Sequence, residues 1–260
     1  MSSLAKYKVE NCFDHLKLYS DGSVFCKDPI HYDTPGDSRV IYKDIVFNEE
    51  HNLSLRVYKP TTTKSSTSSS KKLPILFHFH GGGFCFGFRT TPTNHNMCVH
   101  MEKMLEAVVI EPDHHVADFD RVFVLGYSSG GNLTHHLAVW FRADSADLAP
   151  VRLRGYMLLS PFFGGNVQTK SEKERPSNGF WTVLEAKLAV PIGENQDYRL
   201  VNPFGPFNPS LAAVVLAPML VVVGGSEIMR ERVNDYATKL QKLKMILFDH
   251  SKPPRTTGVV

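Results

Sequence analysis

The stretch RVFVLGYSSGGN, residues 121–132, decides the fold. Arg121 to Leu125 is a short apolar run of the kind that forms a strand buried on both faces of a parallel sheet. It leads directly into Gly126-Tyr127-Ser128-Ser129-Gly130, and from there into Gly131, Asn132 and a helix-like pattern running to Arg142. This is G-x-S-x-G in the setting that its chemistry requires: a strand, a sharp turn and a helix. The glycines permit a tight backbone and close helix packing. The turn lifts the Ser128 hydroxyl clear of the sheet, and the backbone N–H of the next residue, Ser129, points at the place where a negative oxygen would form. A Gly/Ser turn that merely caps a helix would share the composition but has no need of the preceding strand.

Upstream, the run Leu73 to Phe79 ends in His80-Gly81-Gly82-Gly83-Phe84. Successive glycines let backbone N–H groups approach a developing oxyanion without side-chain obstruction. The spacing of this loop, one strand–helix–strand unit before Ser128, is that of a lipase/esterase type of α/β-hydrolase. Further short apolar runs at Ala107–Ile110, Arg154–Leu159 and Met219–Val223 alternate with helix-like stretches at Asn94–Glu106, Asn132–Arg142 and Arg230–Leu243. Strands alternating with helices predict an α/β fold with a central, mostly parallel sheet.

A serine nucleophile needs an acid and a base, and in this fold they follow it in that order. Glu227 comes just after the run Met219–Val223 and is the expected acid, although a carboxylate there also suits the start of the next helix. Asp235 is the second choice. Of the twelve histidines only His250 follows Glu227, which makes it the expected base, in a tail that begins after Phe248. Phe84, Phe86, Phe162, Phe163 and Trp181 are expected to line an ester cleft in part. The pairs His114-His115 and His135-His136 are adjacent, so their side chains are expected to diverge, and neither has metal-ligand spacing. No metal and no cofactor are expected.

Composition narrows the field. Lys and Arg number 29 and Asp and Glu 26, a net charge of +3, which gives no electrostatic case for a nucleic-acid or membrane partner. No apolar run approaches the roughly 18 residues of a membrane span. The N-terminus, with Lys6, Lys8 and Glu10, lacks the apolar centre of a secretory signal. Four scattered cysteines make no disulfide framework, so a reduced, cytoplasmic protein is expected, with the nucleus as a second location. Residues 1–260 are expected to form one domain. Within it, 1–60 is a β-rich, cap-contributing segment, 61–72 a flexible Ser/Thr/Lys loop, 73–248 the catalytic core and 249–260 a loose tail.

Together HGGGFCFG, GYSSGGN, SPFFGG, NPFGP and VVGGSEIMRERVNDYA resemble the plant carboxylesterases, a family within the hormone-sensitive-lipase-like α/β-hydrolases. The resemblance runs from the N-terminus to about Leu243. It implies hydrolysis of small carboxylic esters, strigolactone-type butenolides among them. It also implies Ser128 as nucleophile, Glu227 as acid, and the N–H groups of Gly82, Gly83 and Ser129 as the oxyanion hole. The same fold group holds the gibberellin receptors, so a catalytically impaired ligand-binding protein is the alternative. The chain departs from the family pattern in three places. Where the family continues after the run 107–110 with D-Y-R-L-A-P-E-H and a helix, Glu111-Pro112-Asp113 leads at once to His114, so the core is expected to be internally shortened. Tyr127 replaces the usual acidic residue before the serine. After Leu243 the usual H-G-F histidine and final helix do not follow, which reads as C-terminal truncation.

Overall fold

The structure is a computed structural model, and it describes residues 8–12, 16–20, 23–26, 40–50, 53–60, 72–84, 89–109, 117–142, 151–174, 190–191 and 193–243. Three short strands, β1 (Lys8–Cys12), β2 (Leu16–Tyr19) and β3 (Val24–Cys26), make a small antiparallel sheet of their own. These strands agree with the expectation of a β-rich segment at the start of the chain. A second sheet of seven strands organises the rest. Its members are β4 (Val40–Asn48), β5 (Leu53–Pro60), β6 (Leu73–Phe79), β7 (Val108–Val109), β8 (Ala117–Tyr127), β9 (Leu153–Leu159) and β10 (Met219–Val222), in the spatial order β10-β9-β8-β6-β7-β5-β4. Strands β6 to β10 run parallel, while β4 and β5 are antiparallel at one edge. Because β5 hydrogen-bonds to β7, the core sheet starts at Val40, not at Leu73, and the expected division between 1–60 and 73–248 cuts through it.

The order reverses at β6. The chain leaves β6 for β7 on one side and returns for β8 on the other. In open parallel sheets the crevice at the carboxyl ends of such a pair is where ligands bind. The crossover from β7 to β8 needs no helix to close. Val109 stands level with Leu76 and Ala117 level with Leu73. Two strand spacings with that offset require roughly 14 Å, and the 110–116 link reaches up to roughly 28 Å when extended.

Helices form where the sequence supplies caps and an apolar stripe. Helix α1 (Pro92–Leu105) follows the extended Thr91, has proline in its first turn, and ends at Glu106 in the left-handed region, φ 46°. Helix α2 (Ser129–Trp140) starts on the serine turn, three residues earlier than the sequence pattern suggests. A short α3 (Lys170–Glu174) precedes α4 (Arg230–Lys242), whose buried Val233, Tyr236, Ala237 and Leu240 fall at i, i+3, i+4 and i+7. Val233, Tyr236 and Leu240 pack with Ala138 of α2 on Val124, Tyr156, Leu158, Met219 and Val221 of the sheet, the main core. On β10 the alternation is complete. Met219 and Val221 are buried there, whereas Leu220 and Val222 are 53% and 45% exposed on the opposite face. No helix among the described residues is long and apolar enough to cross a membrane.

Two imidazoles are locked inside. His135 Nδ1 is 2.8 Å from the Tyr236 hydroxyl, and burial pushes its pKa down to about 3. Burial, with His80 nearby, pushes His78 down to about 4. Contrary to expectation, the His135 and His136 rings do not diverge; they meet edge to face at 5.0 Å while His136 Nε2 turns to the Leu200 carbonyl. The unfolded chain protonates both buried histidines below its ordinary value, whereas the folded chain does not. Stability is therefore full above pH 6.5 and falls as pH drops toward 4 and then 3. Each histidine contributes a slope of about 1.4 kcal/mol per pH unit within its window. Urea melts at about pH 7.5 and about pH 5 are expected to show a clearly lower midpoint at the acid value, and His135→Gln to remove part of that drop.

Candidate active site

Ser128 sits where β8 turns into α2, with φ 54° and ψ −117°. A non-glycine residue held there costs about 1–3 kcal/mol and persists only when its surroundings over-determine it. They do. The Ser128 N–H donates to the Leu159 carbonyl at 3.0 Å, and the Ser128 carbonyl accepts from the N–H groups of Phe162 at 2.9 Å and Asn132 at 3.1 Å. Asn132 is itself buried, its Nδ2 donating to the carbonyls of Phe162 and Leu200. The exit of β9 thus grips the turn from one side.

The exit of β6 presses on it from the other. A Cβ at Gly130 would lie 2.1 Å from the Phe79 carbonyl oxygen, and one at Gly126 2.1 Å from that of Gly130. A Cβ at Gly81 would lie 3.2 Å from the Ser128 Cβ and 2.7 Å from Cδ1 of the Tyr127 ring. The glycine loop and the serine turn, 47 positions apart in the chain, are therefore in van der Waals contact. Beyond Gly81 the backbone winds through the left-handed region three times in succession, at Gly82 (φ 130°), Gly83 (φ 59°) and Phe84 (φ 64°). The His80 Nδ1–H donates to the Gly81 carbonyl at 2.8 Å and braces the start of the loop. Ser129 opens the first turn of α2, where backbone N–H groups lack intrahelical partners and the helix dipole favours negative charge.

Glu227 lies in the loop after β10, half-buried, its N–H bonded to the Gly224 carbonyl and its own carbonyl accepting from the Arg230 N–H. Burial raises the Tyr127 phenol pKa, and the charge of Glu227 raises it further, so this carboxylate and the residue before Ser128 share one region. Asp235 is elsewhere. It stands on the outer side of α4, its side chain 60% exposed and 2.7 Å from Lys239 Nζ, which removes it as an alternative acid. Phe84 is 42% exposed, with its ring edge-to-face on Phe162 at 6.1 Å. Phe162 itself is 1% exposed and Phe163 3%, so both are core residues; Phe162 supports Phe84 instead of lining a cleft. Phe86, Trp181 and His250 lie outside the described residues. Among the described residues no cluster of His, Cys, Asp or Glu is placed to hold a metal. Sequence reasoning missed Asn132 as a brace and the Tyr127 ring as the surface under Gly81. A polar residue in the first turn of a helix with a buried face was the available signal for the first.

Comparison with known proteins agrees with this architecture. The family model described as alpha/beta hydrolase fold matches residues 113–245. The chain is 30% identical over 212 residues to 3-O-acetylpapaveroxine carboxylesterase CXE2 of Papaver somniferum, covering 65% of this chain and 66% of that one. It is 27% identical over 241 residues to the gibberellin receptor GID1C of Arabidopsis thaliana, covering 76% and 69%. Against CXE2 and its sister CXE1 the chain spans just under two thirds of the relative's length, 66% and 65%. The crystal structure of a thermostable esterase from Pseudomonas putida superposes with a TM-score of 0.62 at 20% identity, covering 82% of this chain and 73% of that one, and shares the fold. The chain belongs to the α/β-hydrolase family, and it is similar to plant carboxylesterases.

The contact between α2 and β6 makes a direct prediction. Gly130→Ala drives a methyl into the Phe79 carbonyl and is expected to cost about 3 kcal/mol or more. Gly225→Ala, which meets nothing within 4 Å, is expected to stay within about 0.5 kcal/mol of the parent in the same thermal and urea melts.

Proposed function

We propose that this protein is a serine carboxylesterase that hydrolyses small carboxylic esters without a cofactor, strigolactone-type butenolides being the finer substrate class. The reading rests on one observation: Gly81 lies against Ser128 at the point where the sheet order reverses. There the Ser128 Oγ attacks the ester carbonyl. The tetrahedral oxygen is held by the N–H groups of Gly82, Gly83 and Ser129, the alcohol leaves, and water releases the acyl group from Ser128. His250 takes the Ser128 proton and returns it to the leaving alcohol, while Glu227 orients the imidazole and stabilises its charged form. Phe84 and Trp181 form the apolar walls. On this reading residues 1–260 act as one domain in the cytoplasm, with the nucleus also open to it.

A second reading keeps the cleft and drops the turnover. The likeness to a gibberellin receptor, together with Tyr127 in place of an acidic residue, supports a ligand-binding protein built on the same turn.

The two separate in one experiment. Hydrolysis of p-nitrophenyl acetate is expected for the parent chain, with kcat/KM falling about 1,000-fold or more in Ser128→Ala and in His250→Ala. Equal rates for the parent and His250→Ala would remove His250 as base, and turnover unchanged by Ser128→Ala would end the serine scheme. Labelling of Ser128 by a fluorophosphonate without measurable turnover would favour the second reading.

A further inference from the structure

An oxyanion hole works only if its donors stand about 2.7–3.1 Å from the oxygen that will form. A misplacement of about 1 Å can cost about 100-fold in rate. The backbone that carries the expected donors is of the kind least able to hold itself there. It passes through the left-handed region at Gly82, Gly83 and Phe84 in succession, and glycine imposes little conformational preference of its own. Its two ends are anchored: Phe79 pairs with Gly126 at the end of β6, and the Phe84 ring rests on Phe162. The bond from His80 Nδ1–H to the Gly81 carbonyl is internal to the loop, so it does not fix the loop relative to Ser128.

Gly81 is where support from outside reaches the loop. Among the described residues, the atoms nearest to a Cβ at that position are Tyr127 Cδ1 at 2.7 Å, Tyr127 Cε1 at 3.2 Å and Ser128 Cβ at 3.2 Å. The Tyr127 ring therefore lies directly against the bare Cα of Gly81. Its own backbone is held by the sheet. Tyr127 ends β8 level with Leu159 of β9, and Leu159 stands level with Val222 of β10. The next N–H, that of Ser128, donates to the Leu159 carbonyl at 3.0 Å. A rigid ring on two side-chain torsions carries that fixed position outward. Burial and the charge of Glu227 both raise the phenol pKa, so the hydroxyl keeps its proton at neutral pH. The ring thus adds bulk beside the loop and no negative charge that would oppose an oxyanion.

From this geometry we propose that Tyr127 is a positioning residue for the oxyanion hole. Its ring, carried on the same turn as Ser128, supports Gly81 and so sets the N–H groups of Gly82 and Gly83 relative to the Ser128 hydroxyl. The inference deepens the esterase reading and rests on it. Because the contact is made by Cδ1 and Cε1, phenylalanine supplies the same support. A side chain that ends at Cβ or Cγ does not.

Steady-state hydrolysis of p-nitrophenyl acetate by the full chain, and its inhibition by a trifluoromethyl ketone, test this role. The Ser128 Oγ adds to the ketone carbon and its proton passes to the base. The carbonyl π pair moves onto the oxygen, which the hole then holds. Tyr127→Ala is expected to lower kcat about tenfold or more, to leave KM within about twofold, and to weaken ketone inhibition by the same factor as kcat. Tyr127→Phe is expected to keep all three within about twofold of the parent. The position is 42% exposed, so truncation there is expected to preserve a cooperative melt. If Tyr127→Ala gives none, Tyr127→Val replaces it and must show the same loss. A parent chain without turnover would end the esterase reading and this inference together. With an active parent, unchanged kcat in Tyr127→Ala, a loss confined to KM, undiminished ketone inhibition, or an equal loss in Tyr127→Phe would each overturn this inference alone.

Discussion

The structure depends on a contact too close for side chains. The first turn of α2 lies on the exit of β6, and Gly130 is there because a methyl group would occupy the space of the Phe79 carbonyl. Gly81 repeats the constraint one turn away, against Ser128 and the Tyr127 ring. Together these contacts bring two segments of a reversed strand order within atomic reach. The local chemistry follows: a hydroxyl on a sharp bend, a run of left-handed backbone facing it, and the positive end of a helix dipole beneath.

Such a bend is unfavourable by itself, so its support is part of the design. Ser128, Phe84 and Ser160 all hold positive φ without being glycine. The Ser128 peptide is bonded on both sides to the β9 exit, and the Ser160 N–H donates to the Val222 carbonyl at 2.7 Å. Asn132 ties the same turn to the segments at Phe162 and Leu200. Behind these bonds stands the core of α2 and α4 on β8, β9 and β10. Phe162 belongs to that core, so its value to the site is mechanical: it gives Phe84 a fixed surface to rest on.

The sheet is less evenly covered than it is braced. One face of β10 is buried under α4, while Leu220 and Val222 on the other remain open. At the far side the described part of β7 is the short strand Val108–Val109.

Much of this was legible in the sequence. Leu73–Phe79 announces itself because a strand buried on both faces must be largely apolar, and α4 because one stripe of a helix must be, whereas the apolar run Met219–Val222 is buried on one face alone. The glycines at 81, 126 and 130 showed that something had to come close, since no other residue type leaves the backbone so bare. What approached them was decided only by tertiary packing. That Phe79 meets Gly130, that Phe162 is core, that Asp235 faces outward beside Lys239, and that His78 is left with an unmatched nitrogen are all contacts between segments remote in the chain. Periodicity reports which way a side chain points along its own element; the partner it finds depends on strand order and register, which the whole sheet sets at once.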